Sequence, residues 1–165
     1  MADMDQQQER KWIDDLEIEN ANIKWAFSHF DGREDTFNNE GDHNFTLIID
    51  DEQEAQRLIA EGWNIRKMDP REEGDPPEYL LKVKISFRYE APPIFFLKGT
   101  RKFRADEVDL VDIKRATCEQ LDVIVTPKPW VHGRDSGVSA YVKEMYVKIK
   151  ESRFAERYAD FEEAK

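Results

Sequence analysis

Hydrophobic and polar positions alternate most clearly between Tyr79 and Tyr89. Side chains at alternate positions of a strand point to opposite faces of its sheet. One face would carry only apolar or aromatic side chains, namely Tyr79, Leu81, Val83, Ile85, Phe87 and Tyr89. The other face would carry Lys82, Lys84, Ser86 and Arg88. The pattern therefore predicts a strand with one face in the core and a row of cations on the other face.

Further strands are predicted along the chain by alternation or by short apolar runs. The first would be long, running from Ile18 to Ser28, with Trp25 and Phe27 on one side. The others are Phe45–Ile49, Trp63–Lys67, Ile94–Lys98, Leu121–Thr126 and Ser139–Lys150. Pro127 and Pro129 would close the strand before them, and Ile94–Lys98 would pair with the Tyr79 strand as its neighbour in a meander.

One helix is predicted by its end signals and its periodicity. Asp51 suits an N-cap, Glu54 follows three residues later, and Gly62 suits the residue after the last turn. Apolar residues recur at helical spacing between these ends. Weaker patterns predict a second helix within residues 105–116 and a short charged helix within residues 153–165.

Many strands with one crossover helix indicate a mainly β fold. We predict an antiparallel barrel like the five-stranded oligonucleotide-binding (OB) fold, elaborated with extra strands and one or two short helices, and a β-sandwich is the alternative. The expected organisation is a flexible acidic arm over residues 1–17, one OB-like domain over residues 18–150, and a charged helix or tail over residues 151–165.

The overall charge is strongly negative but unevenly distributed. A net charge of −11 and a pI near 4.8 argue against a protein that coats nucleic acid indiscriminately or lies on anionic membranes. Acidic residues concentrate in residues 1–20 and in the loop Asp69–Glu78, so a local basic face can persist elsewhere. Cys118 is the single cysteine, the amino-terminal segment is acidic, and no apolar run approaches the length of a membrane span. We therefore expect a cytoplasmic protein with no membrane contact.

Catalytic patterns are weak. His29, His43 and His132 lack the spacing of metal ligands. The pair Asp50-Asp51 already has a capping role, and no glycine-rich loop could cradle a phosphate. We predict no enzyme, no metal and no cofactor.

Several short blocks resemble those of one known family. They are Trp25-Ala-Phe-Ser-His-Phe-Asp-Gly-Arg33, Gly41-Asp-His-Asn-Phe45 leading into Ile49-Asp-Asp51, Gly62-Trp-Asn-Ile-Arg-Lys67, Pro92-Pro93-Ile94, and Gly137-Val-Ser-Ala-Tyr141 followed by Met145-Tyr146. In their order over residues 21–160 they resemble a family of small single-stranded DNA (ssDNA)-binding proteins of tailed bacteriophages and prophages. The resemblance implies an OB barrel that protects or anneals single strands during phage replication or recombination.

Sequence-tolerant binding of single strands needs cations for phosphates and aromatic rings for bases. The predicted binding residues are Lys24, Trp25, Phe30, Arg33, Phe37, Arg66, Lys82, Lys84, Arg88 and Trp130. Phe30, Phe37 and Trp130 lie in polar, turn-like surroundings, which favours exposed rings. For Trp25, Phe27 and Trp63, core packing and base stacking stay equal alternatives.

An acidic protein that mimics DNA, as an anti-restriction or anti-CRISPR inhibitor would, is the alternative function. The two differ in polymer binding, because a single-strand binder takes up oligonucleotide and a mimic does not. Replication or recombination proteins are candidate partners for the acidic segment Asp160-Phe-Glu-Glu163. The sequence leaves open whether the chain forms homo-oligomers.

Overall fold

The computed structural model describes residues 13–151 together with Phe154, Arg157, Tyr158 and Phe161. Nine strands occupy this part of the chain: β1 Leu16–Ile18, β2 Asn22–Ile23, β3 His43–Ile49, β4 Ile65–Met68, β5 Glu78–Ile85, β6 Ile94–Lys98, β7 Arg101–Arg104, β8 Cys118–His132 and β9 Asp135–Ile149. They are joined by the α-helix α1 Glu52–Glu61 and by two 3₁₀ helices, Trp25–Phe27 and Glu107–Asp112. The predicted mainly β class is confirmed.

The strands form one mixed sheet in the order β1-β8-β9-β5-β3-β2. β4 joins β5, whereas β6 pairs with β9 and with β7. β9 is parallel to both β5 and β6. The sheet is therefore mixed, whereas the sequence predicted antiparallel pairing throughout. The predicted meander is also wrong, because β6 follows β5 in the chain but pairs with the second half of β9.

β5 holds the centre of the sheet because it bonds to β3, β4 and β9. Leu81, Val83 and Ile85 are buried on its inner side, while Lys82 and Lys84 between them are exposed. This confirms the predicted alternation across the strand. The inner residues join one core whose largest fully buried side chains include Phe45, Leu47, Phe96, Leu121 and Met145.

Helix α1 has the predicted ends. The Asp51 carboxylate accepts a hydrogen bond from the Gln53 backbone N–H at 3.0 Å, which satisfies one of the free donors of the first turn. Gly62 closes the helix with φ of 108°, a conformation that favours glycine. Ala55 and Leu58 are fully buried against the sheet side of the helix.

The long first strand predicted from Ile18 to Ser28 is wrong. Asn20 turns the chain with a positive φ of 48°, which separates β1 from β2. After β2 the chain turns as a 3₁₀ helix, where the Ser28 hydroxyl donates to the Lys24 carbonyl and accepts from the Thr46 N–H. These local bonds compete with strand pairing, a frequent effect of serine.

Pro127 and Pro129 do not end the strand that contains them. β8 continues to His132 and keeps its register with β9 through both prolines, opposite Ala140 and Val138. Prolines two positions apart lack an N–H toward the same edge of the strand. β1 pairs no further than Val125, so the outer edge of this half of β8 has no strand that would need those donors among the described residues.

The remaining expectations concern the second helix and the domain limits. Residues 105–116 contain only the short 3₁₀ helix, with Leu110 buried. Ile13 packs against the core and β1 begins at Leu16, so the expected boundary between residues 17 and 18 falls inside β1. The expected arm before residue 13 and most of the expected C-terminal helix lie outside the described residues. None of the helices within the described ranges is long and apolar enough to cross a membrane.

The alternation along β5 can be tested by moving one charge across the sheet. Val83 is 0% exposed, so Val83→Asp would bury a carboxylate with no partner. We expect a loss of several kcal/mol, enough to unfold a domain of ordinary stability. Thermal melting by circular dichroism measures this. Lys82→Asp is the matched control and should melt close to the wild type, whereas equal melting of both variants would contradict the inner position of Val83.

Candidate nucleic-acid interface

Side chains alternate along β5, so the residues between its buried ones form its outer face. Lys82 and Lys84 lie opposite Thr46 and Asn44 of β3. Within the described part of the chain, neither lysine has a carboxylate within 4 Å. The strand therefore presents two unneutralised ammonium groups on a rigid support.

β9 places an aromatic ring beside these lysines. Tyr141 is the parallel-register partner of Lys84. The Lys84 ammonium lies 5.9 Å from the centre of the Tyr141 ring, and the Lys128 ammonium of β8 lies 4.4 Å from it. A cation over a ring face is attracted by the quadrupole of the ring. Tyr141 and the two lysines thus form one cation–aromatic cluster across three strands.

Trp130 lies farther along the same face of β8. It is 44% exposed, and its cross-strand partner in β9 is Gly137. A Cβ atom at Gly137 would stand only 2.8 Å from the indole ring, so the ring rests directly on the glycine backbone. Glycine permits this close approach because it has no side chain. One face of the indole is therefore supported by the protein.

Lys82 lines three adjoining cavities of about 550, 590 and 450 Å³, which together we call the outer groove. Its basic residues are Arg66, Lys82, Lys84, Arg88 and Lys128. Its aromatic residues are Phe27, Phe37, Phe87, Trp130 and Tyr141. Cations and rings thus line the same set of adjoining cavities.

The outer groove is also lined by carboxylates, and two of the three are bonded to histidines. They are Asp35, Asp42 and Glu107. His43 Nε2 lies 2.9 Å from a Glu107 oxygen, and His43 Nδ1 lies 2.7 Å from the Phe30 carbonyl. His43 therefore joins the Glu107 side chain to the backbone of Phe30. His29 makes a similar contact, with Nε2 2.5 Å from Asp35 Oδ2.

The His29 contact also positions an aromatic residue of the groove. The hydrogen bond from His29 lowers the pKa of Asp35, and the backbone N–H of Phe37 lowers it further. That N–H donates to Asp35 Oδ1 at 2.8 Å, and the Phe37 side chain is 88% exposed. Asp35 therefore anchors the backbone of an exposed phenylalanine to a buried histidine.

Comparison with known proteins shows to which family the chain belongs. The family model described as "Putative phage ssDNA-binding domain" matches residues 4–165. The chain belongs to this family. No curated protein sequence matches it.

Solved structures of similar fold come from bacteriophage Enc34. Its single-stranded DNA-binding protein in complex with ssDNA matches with a TM-score of 0.54 and 12% identity, covering 85% of this chain and 89% of that chain. A second structure of the Enc34 single-stranded DNA-binding protein matches with a TM-score of 0.53 and 12% identity, covering 88% of each chain. A C-terminal truncation matches with a TM-score of 0.53 and 11% identity, covering 84% and 87%. The shared fold confirms the OB-like architecture predicted from the sequence.

In this member of the family, six of the predicted binding residues line the outer groove. They are Phe37, Arg66, Lys82, Lys84, Arg88 and Trp130. Arg88 follows the end of β5, and the neighbouring Tyr89 is 88% exposed, so the expected core position of Tyr89 is wrong. The alternation fails there because the strand ends at Ile85.

The other predicted residues have structural contacts outside the groove. Phe30 is 3% exposed and stacks on Phe45 at 4.8 Å, so its expected exposure is wrong. Trp25 packs on Phe30 at 5.6 Å and is partly buried against the core. Lys24 pairs with Glu78 at 2.6 Å.

Arg33 and Trp63 also have structural roles. The Arg33 guanidinium donates to the Ser28 carbonyl at 2.9 Å and to Asp31 at 3.1 Å, which braces its own turn. Trp63 is 3% exposed, which decides its open alternative in favour of the core.

Sequence reasoning missed Tyr141 and Lys128. Tyr141 lies between the buried residues Ala140 and Val142, so the alternation of β9 could have marked it as outward. Lys128 was hidden because its two flanking prolines suggested a loop. Among the described residues, no group of three or more His, Cys, Asp or Glu side chains is arranged to hold a metal ion.

The contact between Trp130 and Gly137 can be tested by filling the glycine. Gly137→Val puts side-chain atoms where the indole lies, so Trp130 must move toward solvent. We expect its indole N–H resonance, identified by its loss in Trp130→Phe, to shift in an NMR spectrum, with little change in melting temperature. Ser136→Val, one residue away on the opposite face of β9, is the control. An unshifted Trp130 resonance in Gly137→Val would contradict the contact.

Proposed function

We propose that the protein binds single-stranded DNA in the outer groove with little sequence preference. The main observation in its support is the lysine pair of β5, Lys82 and Lys84, which has no carboxylate within 4 Å among the described residues and is flanked on the same surface by exposed rings. Membership of a phage ssDNA-binding domain family and the fold shared with the Enc34 protein support it.

The cations of the groove suit the phosphates of a single strand. Each neutralised phosphate releases condensed counterions, which makes binding favourable and dependent on salt. Lys82, Lys84 and Lys128 lie on neighbouring strands and have no carboxylate within 4 Å among the described residues. A single DNA strand that crosses these three lysines meets a positive charge at each of them.

The rings of the groove suit the bases. Base stacking on an aromatic side chain contributes about 1–3 kcal/mol per base and tolerates any sequence, because every base has a π face. Phe37 and Trp130 are 88% and 44% exposed, so their rings are accessible before a ligand arrives. A duplex keeps its bases stacked on one another and cannot use these rings, which favours single strands.

This function is compatible with a net charge of −11. At physiological ionic strength the Debye length is about 8 Å, so acidic residues elsewhere on the surface act weakly on the groove. Of the three carboxylates that line it, Asp35 and Glu107 are each bonded to a histidine, and Asp42 is the third. The alternative, a DNA mimic, would instead use the acidic amino-terminal segment and the loop Asp69–Glu78, and it would bind no oligonucleotide.

The protein would act without catalysis of its own, during phage-type DNA replication or recombination in the host cytoplasm. Binding protects or presents a strand and needs no reacting group. The acidic segment Asp160-Phe-Glu-Glu163 is the candidate contact for replication or recombination proteins.

Reversing the two lysine charges tests the phosphate contacts. Lys82→Glu combined with Lys84→Glu should weaken binding of oligo-dT and flatten the plot of log K against log salt by about 1.4, since each contact contributes about 0.7 to the slope. Tryptophan fluorescence titrations at several salt concentrations measure both values. Lys114→Glu with Arg115→Glu, on the exposed loop before β8, is the control of equal charge change. An unchanged affinity and slope in the lysine variant would exclude these contacts.

A pair of phenylalanines separates stacking from packing. Phe37→Ala should weaken oligo-dT binding by about 1–3 kcal/mol with an unchanged melting temperature, because the ring is exposed. Phe30→Ala should instead lower folding stability by about 3–5 kcal/mol, because the ring is buried. Normal binding by Phe37→Ala would remove that residue from the interface. Wild-type protein that binds no single strand at low salt would overturn the function.

A further inference from the structure

The hairpin formed by β6 and β7 carries an unexplained basic segment. Four of the seven residues from Lys98 to Arg104 are basic and none is acidic, although the chain as a whole is acidic. Every residue of β7 is exposed, and β7 pairs only with β6 among the described strands. Cations on such an edge strand hinder pairing with other sheets. Edge protection accounts for the charge but not for the aromatic side chains beside it.

The register of three strands collects cations and rings on one face of the hairpin. Arg104 pairs with Phe95, and Phe95 pairs with Tyr146 of β9. The rings of Phe95 and Tyr146 stack with their centres 5.2 Å apart. The Lys102 ammonium lies 4.5 Å from the Phe95 ring and 5.5 Å from the Tyr146 ring. We call Phe95, Lys102, Arg104 and Tyr146 the hairpin patch.

The hairpin patch repeats the chemistry found at Tyr141. There, too, ammonium groups from neighbouring strands lie over a partly exposed ring of β9. Within the described residues Lys102 has no carboxylate within 4 Å, and Arg104 donates only to the Ala91 carbonyl, at 3.0 Å. The patch thus has unneutralised charge next to flat apolar surface, which is what phosphates and bases require.

A bulge in β9 brings both tyrosines to the outer face. Residues five positions apart on a regular strand point to opposite faces. The pairing of β8 with β9 shifts by one residue between Val142 and Glu144, and the extra residue there is Lys143. Val142, Met145 and Val147 are all buried, so the residues on the other side of the strand, Tyr141 and Tyr146, both point outward. Bulges commonly redirect side chains in this way.

The two clusters are close enough for one nucleic-acid chain. Tyr141 and Tyr146 lie opposite Thr126 and Asp122 of β8, which are four positions apart, so roughly 13 Å separates the tyrosines at about 3.3 Å per residue. Two acidic side chains lie near this path. Glu144 accepts a hydrogen bond from the Tyr146 hydroxyl at 2.8 Å, and Asp122, opposite Tyr146 in β8, accepts one from the Asn20 backbone N–H at 2.7 Å. Lys143 is paired with Asp15 at 2.6 Å, so the interval between the clusters has little free charge.

We propose that the hairpin patch is a second contact surface for single-stranded DNA, which continues the path of the strand along the outer side of β9. This inference rests on the proposed function of the outer groove. Phosphates would lie over Lys102 and Arg104, and a base would stack on the ring pair once Lys102 swings aside. A long strand then occupies both surfaces, whereas the shortest oligonucleotides occupy the outer groove alone.

A ladder of oligo-dT probes from about 4 to about 16 nucleotides, near the range of site sizes for one such domain, tests this. The variant is Lys102→Gln with Arg104→Gln, and Lys114→Gln with Arg115→Gln is the control of equal charge change. For the longest probe we expect about tenfold weaker binding by the variant and a salt slope smaller by about 1.4. For the shortest probe we expect no change, and the control should match the wild type at every length.

The outcomes separate this inference from the function on which it rests. A variant that binds every probe as the control does would overturn the hairpin patch and leave the outer groove intact. Wild-type protein that binds no probe would overturn both. If the wild type binds a glutamate-rich peptide, the variant does not, and both bind oligo-dT equally, the patch serves acidic protein segments and the inference fails. Equal melting temperatures, expected because β7 is exposed, show that the variant is folded.

Discussion

The two-sided character of β5 is the constraint on which the rest of the structure depends. The strand bonds to β3, β4 and β9, so its backbone cannot rotate without breaking three pairings. Burial of Leu81, Val83 and Ile85 contributes about 1.5–3 kcal/mol for each side chain. A shift of one residue would exchange these with Lys82 and Lys84, which cannot be buried unpaired. Burial of the inner residues therefore also fixes the outward direction of the two lysines.

Neighbouring strands turn this single row of cations into a surface. Parallel pairing brings Tyr141 beside Lys84, and the β8–β9 hairpin adds Lys128 and Trp130. On the opposite side, Phe37 is held through Asp35 by His29. The rings and cations of the outer groove therefore come from several separate stretches of chain, and the fold rather than any local motif assembles them.

Properties that depend on period two or on local end signals were predictable from the sequence. The outward direction of Lys82 and the ends of α1 belong to this class, because neighbours within a few residues decide them. Phe30 belongs to another class. Its turn-like neighbours suggested exposure, but Phe45 and Trp25, the first of them fifteen positions away, cover its ring. Such contacts depend on which strands meet, and alternation within one strand carries no information about that.

The prolines of β8 illustrate the same limit. A proline disfavours a central strand, yet it is tolerated where the missing N–H faces an edge without a partner. Whether Pro127 and Pro129 have such an edge depends on where β1 begins, which is more than one hundred residues earlier in the chain. The strand therefore continued where the local pattern indicated a stop, and Lys128 became an outward residue of the sheet.

The bulge at Lys143 changes which positions of β9 face the core. Upstream of it the inward positions are even-numbered, as at Ala140 and Val142, and downstream they are odd-numbered, as at Met145 and Val147. Loss of Lys143 itself would restore one-to-one pairing with β8, and the later side chains would keep their faces, with Met145 still inward. A regular strand has no such extra residue, so loss of one residue there brings every later side chain to the opposite face. β9 can therefore lose one residue during evolution without exchanging its core and surface positions, provided that the loss falls at the bulge.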